Sequence, residues 1–105
     1  MKDLRTWHGT VLAAEAFVDA DPPADAKVIK RVESAVMREV AEALGNTAAV
    51  TRSAYVDPRV VGAYRDGLTI AAGARRAARV RNSDKRQAIL EASTARLIRK
   101  VSRRT

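Results

Sequence analysis

Apolar and polar residues alternate along this chain with the 3.6-residue rhythm of amphipathic helices, and no run keeps the two-residue rhythm of a strand. Leu4, Trp7, Val11, Ala14 and Val18 recur at helical spacing, with Leu12 and Phe17 widening the stripe, so a helix is predicted over 4–18. Arg5 and His8 lie beside that stripe. Asp19-Ala20-Asp21-Pro22-Pro23-Ala24 interrupts it, because paired prolines fix φ and remove two backbone donors. A second helix is predicted from Asp25 or a near neighbour, acting as cap, to about Leu44. Its seam is Ile29, Val32, Val36, Val40 and Leu44, with Met37 alongside. Lys30, Arg31, Glu33, Arg38, Glu39 and Glu42 mix both signs and read as its solvated face.

The stretch from Leu44 to Pro58 is dense in local signals. Gly45 suits the positive φ that follows a helix end. Thr47 can cap a short second helix through its side-chain oxygen. Asp57-Pro58 ends that element, since the residue before proline is pushed out of the helical region. Pro58 then suits the first turn of another helix, with Val60, Val61 and Tyr64 facing inward and Arg65-Asp66-Gly67 ending it. Leu68-Thr69-Ile70 links to a helical Ala71–Val80, weakly broken by Gly73. Asn82-Ser83-Asp84 is a capping cluster. It opens a final helix from about Asp84 to Val101 that buries Ile89, Ser93, Leu97 and Val101. Arg103-Arg104-Thr105 is expected to fray. The predicted fold class is all-α, with about five to six helices. Large apolar residues are few and alanines many, which suggests a surface that expects a partner or a missing part of its own protein.

Composition narrows the chemistry. A length of 105 residues allows one domain with a modest core. With no cysteine, disulfides and thiolate metal sites are excluded, and a single histidine argues against a zinc site. The start lacks a signal peptide's apolar run, and no apolar stretch reaches membrane-spanning length, so a cytoplasmic chain is expected. The net charge of +8 is unevenly spread: residues 1–57 carry seven Lys/Arg against nine Asp/Glu, and residues 58–105 carry thirteen against three. Such asymmetry points to a polyanionic partner for the second half, against the alternative of a solvated basic tail. Arginine outnumbers lysine fifteen to five. Its planar fork suits bidentate phosphate contacts, although genome base composition produces the same bias.

Three polar features carry candidate chemistry. Arg5 adds its charge to the positive N-terminal end of the first helix, where phosphate is attracted. Asn46 lies in the turn after Gly45. Tyr55 is a possible nucleophile, weak at neutral pH because a phenol has a pKa near 10, unless its surroundings help. Guanidinium groups on the electrophile would help by stabilising charge in the transition state. Taken singly, these read first as an ordinary surface arginine, a turn asparagine and a packing tyrosine.

Their order and spacing are more specific. Lys2-Asp3-Leu4-Arg5-Thr6-Trp7-His8, then Leu44-Gly45-Asn46-Thr47, then Arg52-Ser53-Ala54-Tyr55-Val56-Asp57-Pro58-Arg59-Val60, closely resembles the C-terminal catalytic part of type IB DNA topoisomerases, especially the bacterial and poxvirus-like group. Tyrosine recombinases, distant relatives, usually carry His-x-x-Arg and Leu-Gly-His; Lys2-x-x-Arg5 favours the topoisomerase side. The matched motifs span residues 2 to about 66. The resemblance therefore implies a partial catalytic domain over 1–66, bearing the nucleophile, and a basic helical extension of it over 67–105. It implies that Tyr55 attacks a DNA phosphodiester to give a 3′-phosphotyrosyl link and a free 5′-hydroxyl, which later reseals the strand and so relaxes supercoils. Arg5 would clamp the phosphate, Asn46 would donate a hydrogen bond from the family's usual histidine position, and Lys2 would support them. His8 falls in a different motif and does not replace that histidine. Arg52, Arg59, Arg75 and Arg76 would contact DNA. No cofactor, neither ATP nor metal, is implied. The implied partners are double-stranded DNA and an upstream part of the same protein, in a nucleoid-associated setting without a membrane.

The family's second arginine and its general-acid lysine precede the Lys-Asp-Leu-Arg motif and match no position here. General-acid catalysis is typically worth ~10²–10⁴-fold. The expectation is a C-terminal fragment with little cleavage of its own and, lacking the upstream strands and helices, with exposed apolar faces on helices 4–18 and 25–44 and marginal stability or self-association. Two alternatives stay open: a non-catalytic basic module that binds DNA or a partner, and a tyrosine-recombinase fragment.

Overall fold

Local capping chemistry sets where each helix starts and stops. The computed structural model describes residues 4–20 and 22–104, with the side chains of these other than Leu4, Arg5, Ser53, Ala54 and Arg104. Helix α1 spans Leu4–Val18 and α2 spans Ala26–Leu44. Asp25 is extended, and its carboxylate accepts the Val28 N–H at 2.9 Å, satisfying a first-turn donor of α2. At the other end Gly45 takes φ 71°. The N–H of Gly45 donates to the Glu42 carbonyl at 3.3 Å and that of Asn46 to the Ala41 carbonyl at 2.9 Å. This Schellman pairing satisfies carbonyls that the helix leaves unpaired, and it needs a residue without a β-carbon penalty at position 45.

Thr47 opens α3, Ala48–Val50, by accepting the Val50 N–H at 3.3 Å. The helix then widens into a π-helical turn over Thr51–Tyr55. Val56 is extended and buried, Asp57 caps the next helix, and α4 runs over Pro58–Arg65 with proline in its first turn. Helix α5 covers Ala71–Ala78 and α6 covers Ser83–Arg104. Asn82 Oδ1 accepts the Lys85 N–H at 3.0 Å at the start of α6. Among the described residues there are six helices and the π turn, and no strand, so the fold is all-α.

Helix α1 is central and packs against α2, the π turn, α4, α5 and α6. Its small residues Ala13 and Ala14 are fully buried, which lets neighbouring helices come close. Phe17 stacks on Tyr64 of α4 with centroids 4.7 Å apart and planes 19° from parallel, a favourable aromatic arrangement. Trp7 Nε1 donates to Glu91 Oε1 at 2.9 Å, tying α1 to α6. A continuous apolar cluster joins residues from Val11 to Ile98, so the basic second half shares the core of the first. The radius of gyration, 13.1 Å, matches the roughly 13 Å of a compact chain of about 100 residues. No described helix is long and apolar enough to cross a membrane.

Several expectations are corrected. The faces of α1 and α2 are covered: Val11 and Phe17 on α1, and Val32, Val36, Met37 and Val40 on α2, are buried, leaving Val50 as the one exposed large apolar side chain among the described residues. The alanines compensate for the scarcity of bulk by allowing close approach. Glu33 is buried rather than solvated, because it lies between Ile29 and Met37 at i±4 spacing, on the packed face. In α6 the deepest row is Leu90, Thr94 and Ile98, with Ser93 and Leu97 beside it; Ile89 and Val101 are only partly buried. Gly73 does not break α5 but is buried inside it. Arg103 and Arg104 are assigned to α6, near whose end Arg59 Nη1 donates to Ser102 Oγ at 2.9 Å; Thr105 lies outside the described residues.

Truncating Phe17→Ala is expected to lower the unfolding free energy by about 3–5 kcal/mol, the cost typical of an emptied aromatic site. Urea denaturation followed by circular dichroism measures it. A loss below about 1 kcal/mol would mean that the Phe17–Tyr64 stack is not part of the core.

Candidate functional site

The three segments with candidate chemistry meet at Gly9, a position that the sequence pattern does not single out. A β-carbon at residue 9 would lie 2.3 Å from the carbonyl oxygen of Tyr55 and 3.2 Å from Leu44 Cδ1. Only a glycine lets α1 seat this closely against both the end of α2, just before Asn46, and the end of the π turn. Arg5 lies four residues before Gly9 on α1, about one helical turn away. The next residue adds a polar lock. Thr10 is buried; its Oγ1 donates to the Thr6 carbonyl at 2.7 Å and accepts the Asp57 N–H at 3.0 Å. Steric fit at Gly9 and a buried hydrogen bond at Thr10 thus fix the backbone on which Tyr55 sits.

Tyr55 is half-buried and closes the π turn. Such wide turns occur mostly singly and frequently at functional sites. The turn also buries Thr51 completely, with its hydroxyl unpartnered. Leaving a hydroxyl so costs about 1–3 kcal/mol, which surrounding packing must offset. Asn46 is exposed on the Schellman turn, its backbone engaged with Ala41.

Arginines around the turn are held by carboxylates. Glu33 is buried and accepts from two guanidinium groups: Arg52 Nη2 reaches Oε2 at 3.3 Å, while Arg65 places Nε 2.5 Å from Oε1 and Nη2 3.1 Å from Oε2. The hydrogen bond to Glu33, then its charge, raises the pKa of Arg65. Burying a carboxylate is costly unless it is paired and hydrogen-bonded, as Glu33 is here. Both arginine side chains remain 57% exposed, so the pairs lie at the rim of a groove of about 700 Å³ between α2 and α4. Arg59 makes a bidentate pair with Asp57, Nη2 to Oδ2 at 2.7 Å and Nε to Oδ1 at 3.0 Å, and the Asp57 hydrogen bond raises its pKa.

Of the residues predicted from sequence, Tyr55 and Asn46 lie on elements that converge with α1, and Arg5 lies on α1 itself. The Arg5 side chain and all of Lys2 fall outside the described residues. Arg52 and Arg59 are engaged within the chain. Arg75 and Arg76 are exposed on α5. Missed were Gly9, Thr10 and Glu33. A glycine inside an otherwise helical pattern was the available signal for the first. Among the described residues no cluster of three or more His, Cys, Asp or Glu side chains could hold a metal. In comparisons with known proteins, no family model matches the chain and no curated protein matches it significantly.

Gly9→Ala opposes two effects. Alanine would gain about 1 kcal/mol of helix propensity. Overpacking against a backbone carbonyl typically costs ~1–3 kcal/mol. The clash is expected to win, giving a lower melting temperature and faster amide exchange over 55–57. A variant melting at or above the parent would show that the Gly9–Tyr55 contact is not a constraint.

Proposed function

We propose that the chain is the nucleophile-bearing part of a type IB DNA topoisomerase, acting on double-stranded DNA. The observation that supports this reading most is the convergence at Gly9 of α1, the Asn46 turn and the Tyr55 turn, since the motif resemblance requires those three segments to serve one phosphate. In this reading the Tyr55 hydroxyl gives up its proton and its oxygen bonds to the scissile phosphorus. The bond from phosphorus to the 5′-oxygen breaks, and that oxygen leaves with a proton as a hydroxyl. The 3′-oxygen stays on phosphorus. Resealing is the reverse, with the 5′-hydroxyl attacking and Tyr55 leaving. One phosphoester bond replaces another in each step, so ATP is not needed.

Arg5 serves as the phosphate clamp, with Lys2 in support. Asn46 donates a neutral amide hydrogen bond, weaker than one from a cation. A π turn clamped on two sides suits a nucleophile that must be held in line, because positioning can supply about 7–11 kcal/mol of a barrier. The matched motifs assign no residue to protonate the leaving 5′-oxygen.

A second reading, a basic module that binds DNA without cutting it, draws support from Arg52 and Arg59 being tied to carboxylates while the cations of α5 and α6 are exposed. A duplex bearing sulfur in place of the bridging 5′-oxygen separates the two. A thiolate leaves without an acid, its pKa being near 8.5. The chain is expected to form a denaturant-resistant DNA adduct on that substrate, and Tyr55→Phe to abolish it. An adduct that survives in Tyr55→Phe would sink the assignment of the nucleophile. No adduct from the parent chain would favour the binding module. On ordinary supercoiled plasmid without ATP or magnesium, the chain alone is expected to give no relaxation.

A further inference from the structure

A second cluster of polar groups lies away from the Tyr55 turn, where α5 crosses α6. The two helices touch at Gly73: a β-carbon there would fall 1.9 Å from Ser93 Oγ. Ser93 is 8% exposed, and its hydroxyl has no hydrogen-bond partner. Arg76 Nη2 lies 3.8 Å from that same point, so the guanidinium folds back over the Gly73–Ser93 contact. Thr69, Ser93, Arg76, Arg96 and Lys100 line a groove of about 210 Å³ here, and Arg96 and Lys100 continue into a second one with Arg99 and Arg103.

The start of α5 opens onto the same groove. No side chain caps this helix beyond Thr69 Oγ1, which accepts the Ala71 N–H at 3.3 Å. Ala74 already donates to the Ile70 carbonyl. The amides of Ala72 and Gly73 remain as first-turn donors at the positive end of the helix dipole. Among the described residues, none of Arg76, Arg96 and Lys100 has a carboxylate partner. Free amides, an unpartnered buried hydroxyl and three cations around a groove of this size form a seat for a tetrahedral oxyanion.

We propose that this groove seats a phosphodiester of the DNA backbone, apart from the scissile one. The choice of DNA rests on the proposed function; the oxyanion seat rests on the groove alone. Arg96 and Lys100 flank the phosphate, Arg76 covers it, and the Ala72 and Gly73 amides point at it. A turn of the Ser93 side chain lets its hydroxyl donate to a phosphate oxygen. Bound there, a backbone phosphate fixes the register of the basic extension on the duplex without reading sequence.

The test is amide NMR of the full chain titrated with a short DNA duplex, with inorganic phosphate as a second probe. Duplex is expected to shift the Ala72 and Gly73 amides. Arg96→Gln with Lys100→Gln should remove those shifts and lower the salt slope of binding by about 1, as for one lost phosphate contact. Ser93→Ala should weaken binding with the slope unchanged. Lys85→Gln, which removes a cation at the far end of α6, should leave the Ala72 and Gly73 shifts in place. The proposal is overturned if the duplex binds without moving these amides, if it does not bind, if Lys85→Gln abolishes the shifts equally, or if phosphate moves them and duplex does not. The thermal melt of the double variant shows that it is folded. Shifts present while the duplex with bridging 5′-sulfur gives no adduct uphold the groove while the topoisomerase reading fails; an adduct without the shifts does the reverse.

Discussion

Close approach of a backbone carbonyl to a helix requires a residue without a side chain, and the Gly9–Tyr55 contact is where this chain depends on it. Helix α1 is the centre of the fold, packed against every other long element. If a side chain at residue 9 pushed the Tyr55 carbonyl away, Thr10 Oγ1 could no longer meet the Asp57 N–H, because the two contacts are adjacent on α1 and two residues apart on the facing strand of chain. Asp57 in turn caps α4 and holds Arg59. A single missing β-carbon therefore sets the seat of Tyr55, the start of α4 and, through Arg59 and Ser102, the end of α6.

The π turn is also gripped from the opposite side. Arg52 lies within the turn, and Glu33 on α2 holds its guanidinium. Two arginine forks give this buried carboxylate hydrogen-bonded cationic partners, while both guanidinium groups stay in contact with solvent. The stability gained is small, since both arginines remain more exposed than buried and are screened by water. What the arrangement supplies is position: a helix on one side and a buried charge on the other leave the turn little freedom to shift.

Helix boundaries were legible in the sequence wherever a local rule decided them. Asp25, Gly45, Thr47 and Pro58 each act through atoms within a few residues, so their roles follow from residue type and spacing alone. The seam of α6 was less legible, because Ile89, Val101, Leu90 and Ile98 are all apolar, and which row is buried depends on the angle at which α5 and α4 cross it. Thr94 in that row satisfies its hydroxyl on the Leu90 carbonyl, which a pattern of apolar residues does not anticipate. Glu33 was misplaced for the same reason: a charge on a helix reads as solvated until its partners, nineteen and thirty-two residues away, are brought to it. At the candidate site, residue types flagged Tyr55 and Asn46. Gly9 became visible only once the Tyr55 carbonyl was placed against it.

The uneven charge of the chain has a structural counterpart. Arg52, Arg59 and Arg65, all near the candidate site, are committed to carboxylates. The cations of α5 and α6 are exposed, and that half carries few acids to neutralise them. Fields from exposed charges reach about a Debye length, roughly 8–10 Å at ordinary salt, so paired arginines contribute little beyond their partners while the α5–α6 face acts at a distance. Exposed positive charge thus concentrates on the α5–α6 face, while the arginines around the Tyr55 turn are paired. One apolar core joins the two regions, so the seat of Tyr55 and the charged face are packed as a single body.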